Sequence, residues 1–272
     1  MTYKRQKIIN ILLFLLLLSL MLFSWKNAMR IGNQAQRNSM YGVAKIWYQV
    51  AAYTGDANAQ NNLAGFYAEG LGGERSDALA AKWFEKAAAA GVSAAKFNLS
   101  NFYEEGRGVP QDIRKAVSLL EELAQQRDAV AAFNLGHIYA TGRNDFPQDI
   151  QKAIYWYEIS AAMGYASAQY NLGNIYAQGV AVSKDYALAG QWVVKAAQQN
   201  HRKAQLDYGL MRIFGIGVER DREDGIHWLK RAAKDPATLE QLKERIALLC
   251  AEHPLVVGPE ACAQWALVTA RN

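Results

Sequence analysis

The sequence predicts an all-α fold: a stack of helix hairpins carried behind one apolar N-terminal helix. Three observations lead there. A glycine recurs as Gly70, Gly106, Gly142, Gly179 and Gly215, at intervals of 36, 36, 37 and 36 residues. Between these glycines, apolar residues return with the period of an α-helix. One stretch, Ile8 to Phe23, is interrupted only by Asn10 and Ser19 and so has no polar face. Self-similarity at a fixed period in this range marks stacked units rather than one globular core. The 272 residues then read as one array in which each unit packs on its neighbours.

Residues 1–7 hold Lys4, Arg5 and Lys7, immediately before the apolar run. At about 1.5 Å per residue, a helix over residues 8–25 nearly matches a hydrocarbon core of roughly 30 Å. Trp25 and the flanking lysines suit the two interfaces. This reads as an uncleaved transmembrane signal anchor. A cleavable signal peptide is the competing reading, but its best cleavage site, ending at Ala28, has Lys26 where a small residue is expected. The basic cluster orients the N-terminus inward. Residues from a juxtamembrane linker at 26–39 onward then lie outside the cytoplasm.

The net charge of +5 invites a nucleic-acid reading, and its distribution argues against one. Residues 1–55 contain no Asp or Glu but carry Lys4, Arg5, Lys7, Lys26, Arg30, Arg37 and Lys45. The rest of the chain has 23 basic against 25 acidic side chains, a net of −2. A nucleic-acid binder needs its positive charge on the folded recognition surface, whereas here it flanks the apolar segment.

Within one repeat, Ala59, Leu63, Phe66 and Tyr67 share one helix face, and the set returns at Ala95, Ala131 and Ala168 with the same spacing. A small residue follows the Leu (Ala64, Ser100, Gly136, Gly173, Gly209), which allows close approach of a partner helix. The loop glycine ends this helix. Ser76, Asp112, Asp149, Asp185 and Asp221 then stand as N-caps of a second helix. That helix carries Ala80, Trp83, Phe84, Ala87 and Ala88, and its Trp recurs at Trp47, Trp156, Trp192 and Trp228. The array spans residues 40–235, a half repeat followed by five full ones. Residues 236–272 read as a degenerate capping repeat, with Trp265 echoing Trp228. Cys250 and Cys262, the two cysteines of the chain, fall in this cap. They form either a disulfide stapling it or two separate buried thiols.

The pattern resembles the Sel-one-like repeat family, a tetratricopeptide-related group, over roughly residues 44–235. The second unit displays it as Ala95, Leu99, Tyr103, Gly106-Arg107-Gly108-Val109, Asp112 and Lys115-Ala116. The third unit departs with Arg143-Asn144-Asp145 in its loop, and the fifth with Tyr208 for Leu and Arg212 for Tyr. The resemblance implies a right-handed α-solenoid acting as a protein-binding adaptor. It also implies a bacterial, exported setting, here the periplasmic side of the inner membrane. Some members are immunity proteins against secreted phospholipase toxins, which makes a lipase toxin one candidate partner. A scaffold for envelope assembly, secretion or signalling is the alternative.

Catalytic signatures are missing from the sequence. His137, His201, His227 and His253 have no neighbouring Cys or carboxylate in a ligand pattern. The loop glycines lack the strand that a phosphate-binding fingerprint requires. No enzyme activity, cofactor, metal or small-molecule substrate is therefore expected. Binding is expected on the first helices, where Asn98 and Asn101, Asn134 and His137, and Asn171 and Asn174 are i, i+3 pairs. Asn disfavours helix interiors. The first Asn of each pair is expected to bridge adjacent units, and the second (Asn101, His137, Asn174) to meet a partner.

Overall fold

The computed structural model describes residues 27–143, 146–232 and Glu244, and every regular element among them is an α-helix. The chain divides at residue 125 into two compact units. The first holds α1 (Ala28–Arg37), α2 (Tyr41–Tyr53), α3 (Ala57–Glu69), α4 (Asp77–Ala89), α5 (Ser93–Glu105) and α6 (Ile113–Gln125). The second holds α7 (Ala129–Thr141), α8 (Ile150–Ala162), α9 (Ala166–Gln178), α10 (Tyr186–Gln198), α11 (Arg202–Phe214) and α12 (Arg222–Ala232). Within each unit every helix packs on the next in sequence. The all-α helix-hairpin repeat is therefore as expected. No helix among the described residues is long and apolar enough to cross a membrane. The anchor at 8–25, the capping repeat at 236–272, His253 and the Cys250–Cys262 pair lie outside those residues.

The predicted local signals are in place. Ser76, Asp112, Asp149, Asp185 and Asp221 each accept the amide three residues on, at 3.3, 3.0, 3.0, 2.9 and 3.0 Å. Ala59, Leu63 and Phe66 are buried on α3, as are Ala80, Trp83, Phe84, Ala87 and Ala88 on α4. In the irregular third loop, Arg143 and Phe146 exchange backbone hydrogen bonds at 2.8 and 2.6 Å, and the Phe146 ring lies 5.2 Å from Tyr139.

One feature goes beyond the sequence reading and a second differs from it. The recurrent Trp is not the centre of each hairpin: Trp83 is buried, but Trp47, Trp156, Trp192 and Trp228 are half-buried. The enclosed residue is the next one along, Tyr48, Phe84, Leu120, Tyr157, Val193 or Leu229. It points into its own hairpin, against the small residue of the first helix. A Cβ added to Gly136 would stand 2.5 Å from the Tyr157 ring, and one added to Gly209 would stand 2.7 Å from Leu229. Those glycines exist to admit a large neighbour.

The difference lies at 26–39, read as a linker with a half repeat after it. This stretch contains α1, which packs on α2 to complete a hairpin. Gly32 holds the small-residue position, since a Cβ there would be 2.8 Å from the Tyr48 ring. The connection is three residues, 38–40, against seven, 70–76, in the next hairpin. Four missing loop residues shift α1 out of the thirty-six-residue register, which hides it from a search by period.

Candidate partner-binding surface

The surface of interest is built on the first helices of the hairpins, held by polar bonds to the helix before. The Tyr67 hydroxyl meets the Gln49 amide at 3.0 Å. Tyr103 reaches Glu85 at 3.1 Å, and Tyr176 reaches Glu158 at 3.2 Å. Burial first, and then the facing carboxylate, raises the phenols of Tyr103 and Tyr176 above their ordinary range. The repeated Tyr is thus a joint between successive hairpins, with its ring sheltered and its hydroxyl at the edge.

The six expected residues fall on three helices. Asn98 and Asn101 lie half-buried on α5 of the first unit. In the second unit Asn134 is half-buried and His137 exposed on α7, while Asn171 and Asn174 are half-buried on α9. Asn171 hydrogen-bonds the Tyr157 hydroxyl of the preceding helix. Asn62, at the same place in its repeat, does so to Tyr48. The Tyr48 hydroxyl also lies 2.8 Å from Asn33 Oδ1 and within hydrogen-bond reach of Gln36, which ties α1, α2 and α3 together.

Phe84 and Leu120 stand at the corresponding position before Asn98 and Asn134 and offer no hydroxyl. Position 171 is thereby an internal strut, whereas positions 98 and 134 lack that partner. The sequence signal was available: a Tyr immediately after the Trp position and fourteen residues before the Asn.

The fifth repeat replaces these parts with charge. Asp207 takes the first-Asn position, is buried, and accepts from the Tyr170 hydroxyl at 2.9 Å. Arg212, in place of the repeated Tyr, bonds Asp224 at 2.9 Å and Asp221 at 3.0 Å. The guanidinium therefore clamps the first turn of α12, where negative side chains already complement the helix dipole.

The described histidines are scattered. His137 and His227 are exposed. Among the described residues no group of three His, Cys, Asp or Glu side chains is placed to hold a metal ion. His201 serves the structure instead. Its ring accepts the Ala204 amide at 3.2 Å, capping α11, and lies 4.7 Å from the Tyr170 ring. Burial, and then Lys203, push the imidazole pKa below its ordinary value.

Only the neutral ring can accept that amide. The unfolded chain then binds the proton more readily than the folded one. The contribution is complete above the unfolded value, about 6.5, and is lost as pH falls through the folded value. Between about pH 8 and pH 5, wild-type protein should lose about 0.5–1 kcal/mol relative to His201→Asn, which caps without titrating. Parallel stability curves for the two proteins would remove this role.

The Sel1 repeat profile matches residues 57–92, 93–128, 129–165, 166–201 and 202–235. A Sel1 repeat protein from Oxalobacter formigenes is similar at 28% identity and a TM-score of 0.69, over 89% of this chain and 99% of that one. A protective antigen present in uropathogenic Escherichia coli strains, displaying an SLR fold, matches at 28% identity and a TM-score of 0.69. That match covers 90% of this chain and 53% of the antigen, so the chain spans about half the antigen's length. An immunity protein from Pseudomonas aeruginosa shares 19% identity at a TM-score of 0.44, over 75% of this chain and 83% of that one. That likeness is too weak to speak to function. No curated protein matches the chain. Five matched repeats across most of its length show that the chain belongs to the Sel1 repeat family, whose fold serves protein–protein interaction.

Proposed function

We propose that this chain is a non-enzymatic protein-binding module, a right-handed α-solenoid tethered by residues 8–25 to a bacterial inner membrane, with its repeats in the periplasm. One observation carries the binding surface. At the second position of the Asn pairs the repeats hold Asn101, His137 and Asn174, polar residues of which His137 is exposed and the two Asn half-buried, while the surrounding pattern residues are engaged in packing, capping and joints. The tether rests on the apolar run in the sequence, which four residues separate from the start of α1. The sharper form, an immunity protein that blocks a secreted phospholipase, rests on the family resemblance. A scaffold for envelope assembly, secretion or signalling is its alternative.

A photo-activated crosslinker in place of His137, in cells expressing the full chain, should give one discrete protein adduct in the membrane fraction. The adduct should fade several-fold when Asn174→Lys is added. Adducts indistinguishable from those of the same crosslinker at Lys82, on the second helix of its hairpin, would overturn the reading. A lipase as the adduct selects the immunity form, and an envelope or secretion component selects the scaffold.

A further inference from the structure

The first hairpin carries an outward apolar stripe that its sister hairpins lack. On α2, Tyr53, Ile46, Val50, Val43 and Trp47 fall at consecutive angles around the helix with no polar residue between them, and the N-cap residue Met40 extends the row. This stripe lies beside the core face formed by Ala44, Tyr48, Ala51 and Ala52. Met40 is 51% exposed, Val43 39%, Ile46 59% and Tyr53 77%, so the stripe meets solvent in the protein alone.

The repeat register makes the comparison internal. The positions of Ile46 and Val50 are Lys82 and Lys86 on α4, Ser118 and Glu122 on α6, and Gln191 and Lys195 on α10. Only α8 comes near, with Tyr155 and Ile159 beside Lys152. Such positions face water in an ordinary repeat. At α2 they have been given up to apolar side chains, and an exposed apolar surface of this kind marks a contact.

Three observations say what covers it. Arg30 and Ile31 of α1 share an open hollow with Met40 and Val43, and the outward edge of α1 is Arg30, Gln34 and Arg37. An apolar helix folded back over α1 would have to bury those groups, which is costly. No Asp or Glu occurs before Asp56, so the hairpin itself combines apolar and cationic groups; Glu69 of α3 faces Arg37 and Tyr41 in a separate hollow, away from Met40, Val43 and Ile46. Such a combination is the chemistry of an interfacial surface on an anionic bilayer. Finally, the apolar run ends at Phe23 and α1 begins at Ala28. At no more than about 3.5 Å per residue, the intervening chain keeps the hairpin within about 20 Å of the hydrocarbon edge.

We propose that the α1–α2 hairpin lies against the bilayer, with Met40, Val43 and Ile46 in the headgroup layer and Arg30 at its rim. The membrane is then contacted twice, through the span and through this face, which fixes how the array leaves the surface. The inference rests on the anchor reading given under Proposed function.

The test uses the full chain with Cys250 and Cys262 replaced by Ser, carrying an environment-sensitive fluorophore at Ile46→Cys or at Lys82→Cys. It is reconstituted into vesicles of phosphatidylethanolamine and phosphatidylglycerol. Lipids with a nitroxide near the headgroup should quench the Ile46 label several-fold more than the Lys82 label, and iodide should show the reverse order. Co-flotation with vesicles while both labels remain equally open to iodide would overturn the inference and leave the anchor standing. Protection of the Ile46 label that appears only when a protein partner is added would overturn it as well. Failure to co-float would remove the anchor and the docking together.

Discussion

Tyr157→Ala should destabilise the protein by about 3–5 kcal/mol, as truncation of an enclosed aromatic residue does. The ring is 3% exposed and lies 5.7 Å from the Phe133 ring, over the gap left by Gly136. Gly136 offers no side chain to fill the space. Tyr157→Phe keeps the ring and removes only the hydrogen bond to Asn171, so it should cost about 1 kcal/mol. Trp156→Ala should cost less than Tyr157→Ala, about 1–2 kcal/mol, because its side chain is half-buried and already partly in water. Urea unfolding of the three variants orders them. A greater loss at Trp156 than at Tyr157 would reverse the assignment of which residue fills the hairpin.

That ordering marks where sequence reading is strong and where it stops. The caps were legible because capping is local: Asp149 needs only the amide of Lys152, three residues on. The fold was legible because hairpins of one sequence pattern must bury one pattern of faces. The choice between Trp and Tyr was not, since adjacent residues differ by only about 100° around a helix. Periodicity defines a face about that wide and cannot say which edge is enclosed. The decision belongs to the neighbour: Gly136 opens toward Tyr157, and only packing shows that.

The first hairpin was missed for a related reason. Its short connection displaced α1 from register, and that helix offers few large apolar residues besides Met29 and Ile31. A search for repeated words does not find a word with four letters removed. Of the candidate surface, the pairing of Asn positions was readable. The division between strut and open amide is written in the sequence too, as a hydroxyl or its lack fourteen positions earlier, but only the packing shows that these two positions meet. Tyr157 carries the hydroxyl and Leu120 does not.

Gly108→Ala should be the most damaging small-to-small change in the first unit, costing about 2–4 kcal/mol. Two costs combine there. Gly108 sits at φ +66, where an L side chain is strained. Its Cα also faces the start of α4, so an added Cβ would overlap the backbone carbonyl of Asp77. The same approach holds the loop where Arg107 bonds Asp77 at 3.0 Å. Gly91 separates the two costs: it has φ +89 but nothing within 4 Å of an added Cβ. Gly91→Ala should therefore show the conformational cost alone, about 1 kcal/mol. The excess at Gly108 measures how firmly one hairpin's loop is held against the helix of the hairpin before it. In the fourth repeat Ala181 occupies this position at φ +57, so that joint has already made room for a methyl group. Equal destabilisation by Gly108→Ala and Gly91→Ala would mean that the joint at Asp77 yields as well, and that helix-to-helix packing alone sets the spacing of the hairpins.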